Sequence, residues 1–335
     1  MSKAAELANL IGNINAGGGG VNRNVIINGA MNVAQRGTSE TGIGGSDGYF
    51  TCDRWKFAQA TNAGRLTMTQ DSSVPTGEGF ANSMKLACTT TDTSIGAGEV
   101  AIIQQSIEGQ NLQGFAKGTS EAKPFALSFY VKGNASATYT VELNDTDNTR
   151  YNSQEFSVTT EWTKVTKTFV ADTTGAFNDD NSTSLKLIIW LHAGSTYTGG
   201  THTDNVWHTT TNQRVGDSQT SFYDSTDRTL FITGVQLEVG QNPTEFEHEP
   251  FGITQEKCHR YFYKQPGTSH YGSYGEYNAA GYCDIQFPTE MRAQPTATAG
   301  SGSQTIQNRS TRRCDIYVVN AYPAWPGNST FDAEL

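Results

Sequence analysis

The sequence predicts an all-β protein: a jelly-roll β-sandwich with an N-terminal docking helix and a small C-terminal β domain. Three observations carry this. Charged residues are 17% of the chain while glycine reaches 35 of 335, and Thr, Ser and Asn are abundant, a balance that favours strands and turns over helices. Apolar side chains recur at every second residue in several segments between 125 and 240, the period of a strand with one buried face. The segments between them are Gly/Asn/Asp/Thr turns, not helical crossovers.

In chain order, the one strongly helical pattern comes first. Leu7, Leu10, Ile11 and Ile14 form a single apolar stripe over residues 3–14, with Ser2 as N-cap and Gly17 as a stop. A helix of about 12 residues is marginal alone in water, and the "NAGGGG" behind it uncouples it from the β body. The stripe is therefore expected to dock on another chain or on copies of itself. After this hinge, "NRNVIINGAMNVAQRG" (22–37) places β-branched Val25, Ile26 and Ile27 before an Asn28-Gly29 turn pair, predicting a first strand at 25–28.

"FALSFYVKG" (125–133) alternates Phe125, Leu127, Phe129 and Val131 against Ala126, Ser128, Tyr130 and Lys132, as a half-buried antiparallel strand does. "TYTVEL", "WTKVTKTFV" and "SLKLIIWLHAG" obey the same rule, and 65–70, 83–89 and 99–105 are earlier candidates. In "TLFITGVQLEVG" (229–240) the alternation Leu230, Ile232 resumes as Val235, Leu237, Val239, so the register jumps by one and a β-bulge is expected at Gly234. About nine strands over 22–250 read as a two-sheet sandwich of jelly-roll type. Residues 192–228, long, polar and dotted with aromatics, read as a large surface loop. Pro250 marks a boundary, 254–263 a short helix, and the remainder to 335 a small domain of four or so strands. The expected organisation is 1–21, 22–250 and 251–335.

A net charge of −10 leaves no basic footprint; the densest positive stretch, "NRSTRRC" (308–314), holds three arginines. Nucleic acid is not an expected partner. There is no apolar run near 18 residues, and "MSKAAELANLIG" has neither the charged start, the continuous apolar run nor the cleavage site of a secretory signal, so neither membrane insertion nor export is expected. Cys52, Cys88, Cys258, Cys283 and Cys314 are scattered singly without a C-x-x-C, poor material for disulfides or zinc, and read as buried thiols of a protein made in a reducing cytoplasm.

Catalytic patterns are weak. "VGDSQ" (215–219) holds the Gly-Asp-Ser of one hydrolase class, and "EFEHE" offers Glu245 and His248, but no apolar strand precedes Ser218 and no βαβ pattern exists. His202 and His208 are six apart, outside helical metal-ligand spacing. No catalytic residues and no cofactor are assigned. Asp145, Asp147, Asp179 and Asp180, beside asparagine oxygens in "NDTDNTR" and "NDDNST", are oxygen ligands that Ca²⁺ would accept, although neither segment has the 12-residue loop with its terminal Glu; Asp and Asn in turns account for both clusters. Glycan binding needs exposed aromatics beside hydrogen-bonding side chains, because a sugar ring has an apolar C–H face and a polar rim. Tyr197, Trp207 and Tyr223 in the long loop, and Tyr271, Tyr274 and Tyr277 in "SHYGSYGEYN", meet that description; inter-subunit packing is the competing use for them.

Six blocks carry a resemblance: "RNVIINGAMNVAQRG", "CDRWKF" (52–57), "QQSIEGQNLQGFAKGTSEAKPFALSFYVKG" (104–133), "WTKVTKTFVADTTG" (162–175), "FITGVQLEVGQNPTEFEHEPFG" (231–252) and "CHRYFYKQ" (258–265). In that order they resemble a family of bacteriophage virion proteins, namely fibre, tail-appendage or capsid-decoration proteins with a jelly roll similar to carbohydrate-binding modules. "FPTEMRAQPTAT" (287–298) also looks like the module that comes after it. The resemblance implies a non-enzymatic virion component, usually a homotrimer, made in the host cytoplasm. A helix, hinge and rigid body then suit a tail fibre or appendage anchored to other virion proteins through its N-terminus and contacting host surface polysaccharide. The alternatives are a capsid decoration protein without receptor binding and a glycan-active hydrolase.

Overall fold

The structure, a computed structural model, describes Lys3 and residues 22–266, 281–300, 304–318 and 328–335. The predicted docking stripe Leu7, Leu10, Ile11 and Ile14, and the tyrosines Tyr271, Tyr274 and Tyr277, lie outside the described residues. The chain divides into two compact units, Met1–Glu249 and Pro250–Leu335.

The strands of the first unit are β1 (Ser39–Ile43), β2 (Gly48–Tyr49), β3 (Lys56–Ala60), β4 (Arg65–Asp71), β5 (Ser83–Thr90), β6 (Val100–Glu108), β7 (Phe125–Gly133), β8 (Ala137–Asp145), β9 (Arg150–Val158), β10 (Thr163–Phe169), β11 (Thr183–Ala193) and β12 (Thr229–Val239). They form two six-stranded antiparallel sheets, β1-β4-β5-β12-β7-β10 and β2-β3-β6-β11-β8-β9. The chain crosses between the sheets from β5 to β6, β6 to β7 and β7 to β8, and again from β9 through β12, the weave of a jelly roll. Between the sheets lies one apolar core, with Phe125, Leu127, Phe129 and Val131 of β7, Val141 and Leu143 of β8, and Leu185, Leu187 and Ile189 of β11.

The expected bulge is present. The pairing of β12 with β7 shifts between Thr233 and Gln236, and Gly234 sits at φ +62°. A Cβ there would lie 2.5 Å from the Phe80 ring and 3.0 Å from that of Tyr130, so both conformation and space demand glycine. Leu230, Ile232, Val235 and Leu237 consequently all face the core.

Two expectations are corrected. β7 is buried on both faces, with Ala126 at 0% and Ser128 at 1% exposure. The outer face of its sheet is covered in part by a small aromatic group, in which Phe80 packs on Tyr130, Phe246 and His248. Residues 22–37 form no strand. Their backbone meets β12 through Val25 N–H to Leu237 O and Val235 N–H to Gly29 O, and Met31 N–H closes a turn on Asn28 O. Side chains supply the other acceptors: Glu247 takes the N–H groups of Asn22, Arg23 and Asn24, Asn24 that of Ile26, Gln105 that of Ile27 and Asn28 that of Val33. With its donors satisfied this way the segment needs no ladder, and Asn28, at φ +59°, turns it so that Ile26 and Met31 enter the core.

In the second unit, the helix Phe251–His259 precedes β13 (Phe262–Lys264), so the predicted helix starts and ends a few residues early. β14 (Gly281–Gln286), β15 (Thr296–Thr298), β16 (Gln304–Gln307), β17 (Arg313–Val318) and β18 (Thr330–Asp332) complete two three-stranded sheets, β13-β18-β15 and β14-β17-β16. Ile285, Phe287, Met291, Ile316 and Phe331 form its core. Cys52, Cys88, Cys258 and Cys314 are buried and form no disulfide; burial pushes Cys52 up to about 12 and Cys88 up to about 11. Among the described residues no helix is long and apolar enough to cross a membrane.

Gly234→Ala forces a left-handed alanine against Phe80. The expected result is a loss of at least ~2 kcal/mol, read as a lower urea midpoint at unchanged slope.

Candidate functional site

The second sheet carries an apolar patch on its outward face, and that patch is not bare. Val100, Ile102, Ile188 and Trp190 point away from the main core and are covered by Val215, with Tyr197 packed at the edge. The cover is the segment between β11 and β12, which begins with a helical turn, Ser195–Thr198, and pairs once with β9 through a Tyr151–His208 bridge. Residues 192–228 are thus a folded layer on the sheet.

One side chain fastens that layer. The Arg214 guanidinium makes a two-pronged bond to Glu142, 3.0 and 2.6 Å, and its carbon lies 4.1 Å from the centre of the Tyr151 ring, 5.0 Å from Trp190 and 5.8 Å from Tyr197. Glu142 is fully buried on the central strand β8. Burial alone would pull the Arg214 guanidinium down, but the charge and hydrogen bonds of Glu142 outweigh it and hold it above its ordinary value.

Past Arg214 the chain runs as a narrow ridge, 215–221, with a cleft on each side. The first, about 370 Å³, lies where β9 and β10, the edge strands of the two sheets, approach each other. Glu155, Ser157, Thr166, Lys167, Thr138 and Ser218 line it, with Phe156 and Val165 as its apolar part. Glu155 holds the ridge by accepting the Ser218 N–H at 2.7 Å, and a Cβ on Gly216 would meet that side chain at 2.1 Å, so a larger residue there would have to push Glu155 aside. The second cleft, about 310 Å³, is lined by Ile95, Ala193, Thr198, Asp217, Gln219 and Ser221. Both offer donors and acceptors along a rigid edge.

The residues singled out from sequence divide. Tyr197 is half-buried against Trp190, with ring centres 5.2 Å apart, beside the ridge. Trp207 is not a free platform: it packs on Phe125, its indole N–H donates to Val170 O at 2.8 Å, and the Lys117 ammonium lies 5.4 Å from its ring. Tyr223 is fully buried, its ring filling the space above Gly64, and cannot meet a sugar. Ser218 and His248 are not partners; His248 stacks with Phe80 and Phe246 and bonds Glu78 O.

The acidic candidates are corrected more sharply. Their two turns do meet, since Asp147 accepts the backbone and side-chain N–H groups of Asn178. Asp179 and Asp180 stay exposed on the surface, and Asp180 caps its own turn at Ser182. Asp145 is fully buried and already holds a cation. The ammonium of Lys117 sits 2.5 Å from Asp145, 3.2 Å from Asp172, 2.9 Å from Thr174 O and 2.7 Å from Gly175 O. Arg150 completes the cage on Asp172. The lysine takes the oxygen site that calcium would need. A single Lys in "FAKGTS" gives no sequence signal of this.

No protein-family model matches the chain, and no curated protein matches it. Among solved structures it is similar to the family 11 carbohydrate-binding module of a cellulosomal cellulase of Clostridium thermocellum (10% identity, 57% of this chain and 90% of the other, TM-score 0.30). A family 61 module in complex with β-1,4-galactotriose matches at 10% identity over 65% of this chain and 99% of the other, TM-score 0.33. The enzymatically active domain of bacteriophage CBA120 tailspike protein 4 matches at 12% identity over 65% of this chain and 21% of the other, TM-score 0.33.

Lys117→Met leaves buried Asp145 without a cation and Asp172 with Arg150 alone, and is expected to lower stability by about 3 kcal/mol; millimolar Ca²⁺ then raises the melting temperature of the variant and leaves the wild type unmoved. His208 is held below the ordinary imidazole value by burial first, with His202 and Arg214 adding repulsion. The folded form therefore binds this proton less readily than the unfolded chain, so stability is full at neutral pH and falls as pH drops through about 6.5. Melting curves from pH 7.5 to 5.5 should show that fall, and His208→Gln should flatten it.

Proposed function

We propose that the chain is a non-catalytic glycan-binding component of a bacteriophage particle, a tail fibre or appendage whose jelly roll meets host surface polysaccharide at the 215–221 ridge. The carrying observation is the pair of polar clefts flanking that ridge. A saccharide presents hydroxyls that both donate and accept, and the larger cleft offers the Glu155 carboxylate, the Lys167 ammonium and the hydroxyls of Ser157, Thr166 and Ser218 beside the apolar edges of Phe156 and Val165. Volumes near 300–400 Å³ suit one or two sugar rings. The walls belong to β9, β10 and a ridge fixed by Glu155, so the groups are held in place before the ligand arrives.

Placement in a virion and threefold assembly rest on the resemblance carried by the six sequence blocks, and attachment through the N-terminus rests on the apolar stripe Leu7, Leu10, Ile11 and Ile14 with the glycine hinge behind it. A shallow polar cleft binds weakly, and multiple copies on one particle would multiply weak contacts into firm adhesion.

Binding to purified host surface polysaccharides, followed by calorimetry with the best oligosaccharide, tests the reading. Thr166→Trp, at an exposed position, should fill the larger cleft and weaken binding about tenfold without moving the melting temperature, and Asp217→Ala should report on the smaller one. Failure to bind any host polysaccharide, or undiminished binding by both variants, would sink the proposal.

A further inference from the structure

Beneath the smaller cleft lies a group that the glycan reading does not use. His192 of β11 is fully buried; its Nε2 is 3.1 Å from Glu99 Oε2 and its Nδ1 is 2.8 Å from Ser221 Oγ. A third ligand atom comes from Asp92, so that one donor from each of Asp92, Glu99 and His192 lies within 4.8 Å of the other two. Asp92 is only 6% exposed, and its single side-chain hydrogen bond among the described residues is from Ala63 N–H to Oδ2 at 2.6 Å. Neither Asp92 nor Glu99 is paired with a lysine or arginine among the described residues. The contrast with Asp145, Asp172 and Glu142, each given an internal cation, is direct. A buried carboxylate beside a second carboxylate with no fixed positive charge is costly, and it points to a cation that the chain does not itself supply.

We infer that Asp92, Glu99 and His192 form a binding site for a divalent transition metal such as zinc. The donor set, one imidazole and two carboxylates, suits such an ion better than calcium or magnesium. Three donors about 2.1 Å from one tetrahedral ion stand roughly 3.4 Å apart. Glu99 and His192 are close to that spacing, and Asp92 has to close by no more than about 1.4 Å. With Nε2 on the metal, Nδ1–H donates to Ser221 Oγ, which also accepts the Tyr223 N–H at 3.1 Å; the imidazole is then oriented from behind, as metal-binding histidines are. The three ligands join the segment between β5 and β6 to β11, a junction the backbone also makes through Gly194 N–H to Glu99 O and Thr196 N–H to Ala97 O. Metal would fasten one wall of the smaller cleft.

The test uses the full chain, stripped with a chelator and titrated with zinc chloride alone. One zinc per chain is expected, with a rise in melting temperature at saturation. His192→Gln and the more exposed Glu99→Gln should each abolish that site, and Ser221→Ala should weaken it about tenfold. Absence of zinc binding by the wild type up to millimolar concentration would overturn the assignment. So would a folded Glu99→Gln variant that binds as the wild type does.

Discussion

The bond between Arg214 and Glu142 is the constraint on which the functional surface depends. Glu142 sits on the central strand β8 with its carboxylate on the outward face, where an unpaired charge could not be left buried. Arg214 answers it from above, and because the guanidinium is flat it also lies against Tyr151, Trp190 and Tyr197. Breaking such a pair costs about 3–5 kcal/mol, mostly from the charge left behind. The layer over the second sheet is therefore fixed at one point, and the ridge that begins at the next residue inherits its position. Both clefts exist because that ridge stands where it does.

Much of the sandwich was legible in the sequence, for a specific reason. β7, β8, β11 and β12 are central strands whose inner faces are unbroken aliphatic or aromatic, so the two-residue period shows plainly. The skip at Gly234 is visible because apolar residues flank it on both sides. β9 escaped because its inward positions opposite Leu143 and Val141 carry Asn152 and Gln154, while Ser153 is buried beneath the covering layer, and a strand with buried polar residues on both faces looks like a loop. β1, β2 and β3 are short strands at or next to the sheet edges, with little pattern to read. The segment at 25–28 misled in the opposite direction: three β-branched residues predict a strand, but the acceptors for Val25, Ile26 and Ile27 are Leu237 O, Asn24 and Gln105, two of them far away in the chain.

The candidate site was much less legible. Tyr197 lies beside the ridge, whereas Trp207 and Tyr223 turn inward, and nothing in a one-dimensional pattern separates an aromatic on a layer's surface from one beneath it. The ridge itself was noticed for its Gly-Asp-Ser, yet the glycine serves a close approach to Glu155 and the serine lines a cleft. Residues that matter most, Arg214, Glu142 and Glu155, are ordinary charged residues whose partners lie 72 and 63 positions away. Long-range charge pairing leaves no periodic trace.

Internal electrostatics unify these features. The chain carries ten more acidic than basic charges, and the fold places several of its lysines and arginines where strands meet covering loops. Lys117 closes the turns around Asp145 and Asp172; Arg214 closes the layer on Glu142; Arg228 pairs with Asp224 ahead of β12. Lys117 and Arg214 each sit where separate segments converge, and each fastens an irregular segment that makes no ladder of backbone bonds. Asp92 and Glu99 stand at another such convergence, between the segment leading into β6 and the end of β11, with only an imidazole between them. If fixed cations are what hold loops to this sandwich, the junction without one is where a mobile ion has most to contribute.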